Sequence, residues 1–335
     1  MSCVVRAVDV GFGNTKYVVS SKSPRDIECA LFPSLAPLAS TFDLSGGVIG
    51  KRDSVIILVG DDRYEVGPDA ALVLGTHAAR VLNKDFCEGP EYLALLRGAL
   101  SYISAPQIDL LVVGLPVSLL NSKGARLKQI LETRHRLCND EEANVSKVLV
   151  LAQPLGGLIN YSLTQGIYDR IRQQRNLVID VGFFTVDWIV ARGIQPAPRR
   201  CGSFAGGIHA VLRRLAHVIS EDRDIDFDDL TNLDEGLQKG VFNISGRPID
   251  LEHYLPAAKS VIQEAVNALA NSVGDGRDID NIVLVGGGGQ IFHDAIAARF
   301  SSHLVRIVSD PVFSNVRGFQ LAGEELLRRS QAEVT

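Results

Sequence analysis

The sequence predicts an α/β protein of two related halves that face each other across a cleft, and three observations predict it. A strand–turn–strand unit occurs twice, half a chain apart. A third glycine cluster, Gly286-Gly287-Gly288-Gly289, follows the apolar run Ile282–Val285. Between these, short β-branched runs alternate with segments of helical spacing. At 335 residues, 46% of them hydrophobic, the chain is long enough to build two cores.

The elements follow in order. Val4–Val10 is a short β-branched run that ends at glycine, and Lys16–Ser20 resumes strand composition. The opening therefore reads as a hairpin with Gly11-Phe12-Gly13-Asn14 at its tip. Residues 26–33 add a third strand. The stretch 34–53, rich in Ser, Pro and Gly, reads as irregular, and Val55–Val59 with Arg63–Val66 form another hairpin about Asp61-Asp62. Residues 33–85 are the natural inserted subdomain. Glu91–Tyr102 has helical spacing, and Ile108–Val113 is a buried strand before Gly114-Leu115-Pro116. Ser122–Leu131 is an amphipathic helix. Lys147–Leu151 is a strand leading into Gln153-Pro154-Leu155-Gly156-Gly157, which opens a helix to about Thr164. The pattern then restarts with strands Asn176–Asp180 and Trp188–Ala191 and a helix over Gly206–Ile219. The acidic stretch Glu221–Asp234 reads as a solvated loop with a short helix. Leu255–Asn271 is a long helix, Ile282–Val285 a strand, and 290–300 and 314–329 are the last two helices.

The repeat carries the chemistry. Residues 4–19 (VVRAVDVGFGNTKYVV) and 176–190 (NLVIDVGFFTVDWIV) align Asp9 with Asp180, Gly11 with Gly182 and Asn14 with Thr185; Lys16 and Asp187 each stand seven residues after their aspartate. A strand that ends in Asp points a carboxylate beyond the strand end. A glycine two residues on lets the backbone N–H groups of the turn approach an oxyanion closely. Asn14, Thr15 and Thr185 add side-chain donors, and Lys16 a positive charge. Two facing copies would grip a polyphosphate from both sides, with Asp9 and Asp180 holding a hydrated Mg²⁺. A single Asp-x-Gly hairpin is ordinarily structural; two copies and a third glycine cluster, against which a base or ribose could press, change that reading.

Other classes fit less well. A net charge of −5 gives no bulk case for direct nucleic-acid binding. Five widely spaced cysteines without a C-x-x-C pair predict a reduced, cytoplasmic protein. No segment is apolar enough to predict a membrane span. His209 and His217 could share a helix face, but packing or surface roles suit them better than metal ligation. The four glycines at 286–289 lack the βαβ unit and ribose-binding acid of a dinucleotide fingerprint, and no G-x-x-x-x-G-K-[ST] loop occurs.

In order, the chain carries D-x-G-x-x-N-T-K from Asp9, Q-P-x-G-G from Gln153, D-x-G-x-x-T-x-D from Asp180, V-G-G-G from Val285 and N-x-x-G-F from Asn315. This ordered set resembles the five cleft motifs of the actin, sugar kinase and heat-shock chaperone ATPase superfamily. Within it, Gly114–Val117 and Tyr64–Ala70 resemble the plasmid-segregation actins of the ParM/StbA group. Leu237–Gly240 with Gly246–Pro248 also resembles the plasmid-borne branch labelled PRTRC protein D. The resemblance implies two ribonuclease-H-like domains of actin type facing a nucleotide cleft that takes ATP or ADP with Mg²⁺. It implies that Asp9, Gly11, Asn14, Thr15 and Lys16 form the first phosphate loop and that Asp180, Gly182, Thr185 and Asp187 form the second. Gly286, Gly287 and Gly288 would form the adenosine motif, and Asn315 and Gly318 the second connecting helix. Gln153 stands where the family places the residue that orients the attacking water; a glutamine cannot take a proton at neutral pH and would act by hydrogen bonding.

Phe183-Phe184 departs from the glycine or small polar residues of many relatives; the pair could shield the terminal phosphate or pack under the loop. The division implied is 1–154 plus 315–335 for the first domain and 155–314 for the second. The function implied is an ATP hydrolase that forms head-to-tail filaments and segregates plasmid or other DNA through a DNA-binding adaptor. A non-polymerising ATP sensor or scaffold, or a small-molecule kinase of the same superfamily, are the alternatives. A kinase needs an acceptor site with an Asp base, and Asp109 precedes a strand rather than ending one.

Overall fold

The opening hairpin forms as its composition requires. Val5–Val10 pairs antiparallel with Asn14–Ser23, which pairs in turn with Asp26–Pro33. On its other side Val5–Val10 runs parallel to Leu110–Leu115, and that strand runs parallel to Val148–Ala152. The five strands make one sheet, with the hydrophobic strand Leu110–Leu115 wholly buried, as a central parallel strand should be. The computed structural model describes residues 3–39, 52–73 and 80–332. Of the expected inserted segment, the hairpin Val55–Val59 and Asp62–Val66 is present, whereas 40–51 and 74–79 lie outside the described residues, together with most of the stretch read as irregular.

The second half repeats the plan. Arg175–Val181 pairs antiparallel with Val186–Arg192 and parallel with Asn281–Val285, which is flanked by the parallel edge strand Val305–Ile307. Short strands Gln195–Pro196 and Gly202–Phe204 extend the hairpin side. Helices Ile208–Arg223 and Lys259–Val273 cover this sheet through Leu212, Leu215, Leu269 and Val266, packed on Leu177, Ile179 and Ile282.

Two helices tie the halves together. Gln153–Thr164 turns Ile159 toward the first sheet's cluster and Leu158 toward the second's. The last helix, Ser314–Ala332, lies on the first sheet through Val316, Phe319 and Leu321 against Val5, Ala7 and Val112. The two helices cross with backbone on backbone: a Cβ on Gly318 would lie 1.8 Å from the Gly156 carbonyl oxygen, so no side chain fits there. No helix among the described residues is long and apolar enough to cross a membrane.

Some elements differ from the sequence reading. The helix expected at Ser122 begins at Val117, because its first N–H groups are capped from the other half of the chain: the Asp187 carboxylate accepts from Val117 N at 2.8 Å and the Ser203 hydroxyl from Ser118 N at 3.0 Å. The acidic stretch leads into a helix at Leu230–Lys239, which Asp229 caps by accepting from Asn232 N at 3.0 Å. A small sheet of Gln107–Ile108, Arg134–Arg136 and Glu142–Val145, and a short helix Tyr168–Gln173, carried no clear periodicity. The long helix expected from Leu255 opens with a 3₁₀ turn, Leu255–Ala258, and is α-helical over Lys259–Val273.

Candidate functional site

The two hairpins place the same geometry at their strand ends. Asp9 stands directly across from Lys16, and Asp180 across from Asp187. The Gly11 N–H donates to Asn14 O at 3.2 Å and the Gly182 N–H to Thr185 O at 2.9 Å. Each glycine N–H thus closes its own turn, and any backbone donor to an anion comes from further along. A Cβ at Gly11 would lie 3.1 Å from Asn14 O, and one at Gly182 equally 3.1 Å from Thr185 O, so a side chain at either position would push its turn open by a few tenths of an ångström.

A cavity of about 620 Å³ separates the turns. Asp9, Gly11, Asn14 and Lys16 line one side, Asp180, Gly182 and Thr185 the other, and Gln153, Gly286, Gly287, Gly288 and Asn315 complete the wall. Three expected residues stand outside it. Strand alternation turns Thr15 inward between Asn14 and Lys16, where its hydroxyl meets the Ser34 hydroxyl at 2.9 Å; Ser34 in turn donates to Gly11 O at 2.6 Å and braces the turn from behind. Asp187 is buried and serves the cap at Val117, hydrogen-bonded also by Ser203. Gly318 occupies the helix crossing.

The carboxylates are held by amides. Gln153 Nε2 donates to Asp9 Oδ1 at 2.8 Å, and Lys16 Nζ stands 3.4 Å from Asp9 Oδ2. Asn315 Nδ2 donates to Asp180 Oδ2 at 2.6 Å. Where the first hairpin pairs Asp with Lys, the second pairs Asp with Asp, and like charges across a strand pair repel. Burial, with the Asp187 charge beside it, pushes the Asp180 carboxyl up to about 7. Gly286 meets this carboxylate with bare backbone: its φ of +80° suits glycine, and a Cβ would lie 2.2 Å from Asp180 Oδ1.

Among the described residues no group of three or more His, Cys, Asp or Glu side chains could enclose a metal. Two buried carboxylates that line the cavity instead suit a hard cation that keeps most of its waters and takes its other ligands from phosphates, as magnesium does. The donor set therefore fits Mg²⁺ arriving with a nucleotide. His209 packs at a tilt against Phe183 with ring centroids 5.7 Å apart, and His217 is an exposed partner of Glu221 at 3.5 Å.

Sequence reasoning missed one wall of the cavity. Thr231, Asp234, Glu235 and Gln238 reach it from the helix Leu230–Lys239, and Arg80 from the first half. The helix face had a signal, since 231, 234, 235 and 238 follow helical spacing behind an Asp cap. Arg80 had none. Phe183 and Phe184 both line the cavity and pack: Phe184 lies 5.0 Å from the Phe12 ring, and a Cβ on Gly13 would lie 2.7 Å from Phe183 Cβ.

Residues 7–156 match the family model of the actin-like proteins' N-terminal domain, and residues 178–298 that of the archaeal actin homologue, MreB-like, C-terminal domain. The chain belongs to the actin-like proteins. Solved structures agree with that fold. A subunit of a 15-stranded ParM filament from Clostridium botulinum superposes with a TM-score of 0.77 at 19% identity, over 97% of this chain and 100% of that one. The archaeal actin homolog Ta0583 does so at 0.77 and 20% identity, over 96% and 99%, and its ADP complex at 0.76 and 18%, again over 96% and 99%. No curated protein sequence matches this actin-like chain at a significant level. The two-domain actin-like fold gives the doubled turn its sense: the halves of such a protein are built alike and meet at equivalent strand ends.

Proposed function

We propose that this actin-like protein binds ATP with Mg²⁺ between the two turns, hydrolyses it, and assembles head to tail into filaments that move plasmid or other DNA through a DNA-binding adaptor. The observation that carries the reading is the pair of facing turns, each ending a buried strand in an amide-held aspartate. The ParM filament and the ADP complex of the archaeal homolog support it as structures of similar chains. We place the first domain at 1–154 plus 315–335, with an inserted subdomain at about 33–85, and the second at 155–314.

Magnesium, when bound, supplies charge neutralisation on the phosphates, and Asp9 and Asp180 would hold its waters. Asn14, Lys16 and Thr185 bind phosphate oxygens from opposite sides. Gln153, anchored by its amide nitrogen on Asp9, offers its carbonyl oxygen to orient a water for in-line attack; it positions the water and does not remove its proton. Asn315 keeps Asp180 aimed into the cleft, and Gly286 to Gly288 leave a bare surface for the nucleoside. The terminal phosphate is the one group both turns share. Its binding draws the halves together and its loss releases them, which couples hydrolysis to the subunit contacts of an open-ended assembly.

Light scattering and phosphate release, followed together after adding Mg²⁺ and ATP, test this against an Asp180→Ala control. Scattering should rise with ATP and decay as phosphate appears, with both signals absent in the control. Phosphate release without scattering at any protein concentration would remove the filament and leave a non-polymerising ATPase.

A further inference from the structure

Arg80 is a half-buried cation that, among the described residues, rests on an aromatic ring rather than on an acid. Its guanidinium carbon sits 4.6 Å over the Phe183 ring, which belongs to the opposite half. Among the described residues it forms no ion pair, and its Nε is buried without a hydrogen-bond partner. Burial presses on its charge, and Asp234 is the acid near enough to offset this electrostatically. A half-buried guanidinium whose buried Nε lacks an acceptor among the described residues is costly to keep, and an anion would complete it.

The charges lining the cavity are unbalanced for a polyphosphate. Among the described residues that line it, Asp9, Asp180, Asp234 and Glu235 face two cations, Lys16 and Arg80. Lys16 already lies against Asp9. Arg80 is therefore the cation left for an incoming anion. Its position says which part of that anion it meets. Phe183 follows Gly182 in the second turn and packs on Gly13 of the first, so Arg80 stands where the two turns meet.

We propose that Arg80 grips the terminal phosphate of a nucleoside triphosphate in this cleft, leaving the Phe183 ring to do so. The proposal rests on the nucleotide reading above and deepens it by naming the residue that separates triphosphate from diphosphate. A guanidinium suits the task because its planar fork can donate two hydrogen bonds to one phosphate, which an ammonium cannot match. Stacked on Phe183 it is stored at the site; once it leaves the ring, a contact between the halves is exchanged for one to the ligand.

The test compares wild type, Arg80→Gln and Arg80→Lys by calorimetric titration with Mg²⁺ plus a non-hydrolysable ATP analogue, and with Mg²⁺ plus ADP; thermal melts check that the variants fold. Arg80→Gln should weaken the triphosphate by roughly tenfold or more and ADP by less than about threefold, with Arg80→Lys recovering part of the loss. Equal losses for both nucleotides, or no loss for either, would overturn the assignment while leaving the cleft reading intact. Wild type that binds neither nucleotide would overturn both.

Discussion

At the scale of single residues, the site is decided by what surrounds each carboxylate. Asp9 has a lysine across the strand pair and Asp180 has an aspartate, so one motif yields two electrostatic environments. Burial and the neighbouring Asp187 charge push the Asp180 carboxyl up to about 7 in the folded chain against an ordinary 3.8. The sign follows from proton uptake: between these values the folded state holds a proton that the unfolded state has lost, so stability falls as pH rises through that window. The penalty is absent below about pH 4 and complete above about 7. Asp180→Asn should therefore stabilise the nucleotide-free protein at pH 8 by about 1–3 kcal/mol, with the gain fading toward pH 4. Denaturant melts of both proteins across that range check it, and a pH-independent difference would show that the carboxylate is not the strained group. The places of Asp9, Gly11, Lys16 and Gly182 at the turns were legible because they follow from local spacing. Arg80 was not, since its meaning lies in Phe183, about a hundred residues away. Thr15 shows the converse limit: its motif was readable, yet strand alternation set it behind the turn.

At the scale of elements, what could be read depended on where the stabilising partners sit. The hairpins at Val5–Ser23 and Arg175–Arg192 announce themselves because β-branched runs and their glycine turns lie together in sequence. The first turn of the helix Val117–Leu131 could not be read, because its caps, Asp187 and Ser203, come from the other half. The edge strand Val305–Ile307 is three residues long with an outward arginine, too short to show alternation. The acids of Glu221–Asp234 make that stretch read as solvated, yet the helix Leu230–Lys239 into which it leads lines the cavity with one face. The crossing of Gln153–Thr164 with Ser314–Ala332 offers a direct measurement. Gly318→Ala puts a methyl group into the Gly156 backbone and should cost about 1–3 kcal/mol in chemical denaturation. An alanine tolerated without loss would mean the two helices can part freely.

At the scale of the whole molecule, each half has its own apolar cluster, and the halves meet through the two crossing helices, the cap at Val117 and the aromatic contacts of Phe183 and Phe184 between the turns. A ligand gripped by both turns therefore acts on the angle between halves rather than on either core. Small-angle scattering, at concentrations too low for assembly, should show a smaller radius of gyration with Mg²⁺ and a non-hydrolysable triphosphate than with Mg²⁺ and ADP. An unchanged radius at saturating triphosphate would mean that the two turns do not close on it.

The glycine crossing has a mechanical corollary. Gly157 abuts Val285, and Asn315, three residues before Gly318, holds Asp180, so the bare contact of Gly156 with Gly318 lies beside the cavity. Backbone meets backbone at that point, with the Phe319 ring packed beside Gly156, so the narrow crossing can act as a spindle. Rotation about a spindle moves each atom in proportion to its distance from the axis. In such a rotation the amide-held carboxylates, close to the axis, would keep their spacing, while the outermost surfaces of both halves would travel furthest, and those are the surfaces another copy of the chain would meet in the proposed filament.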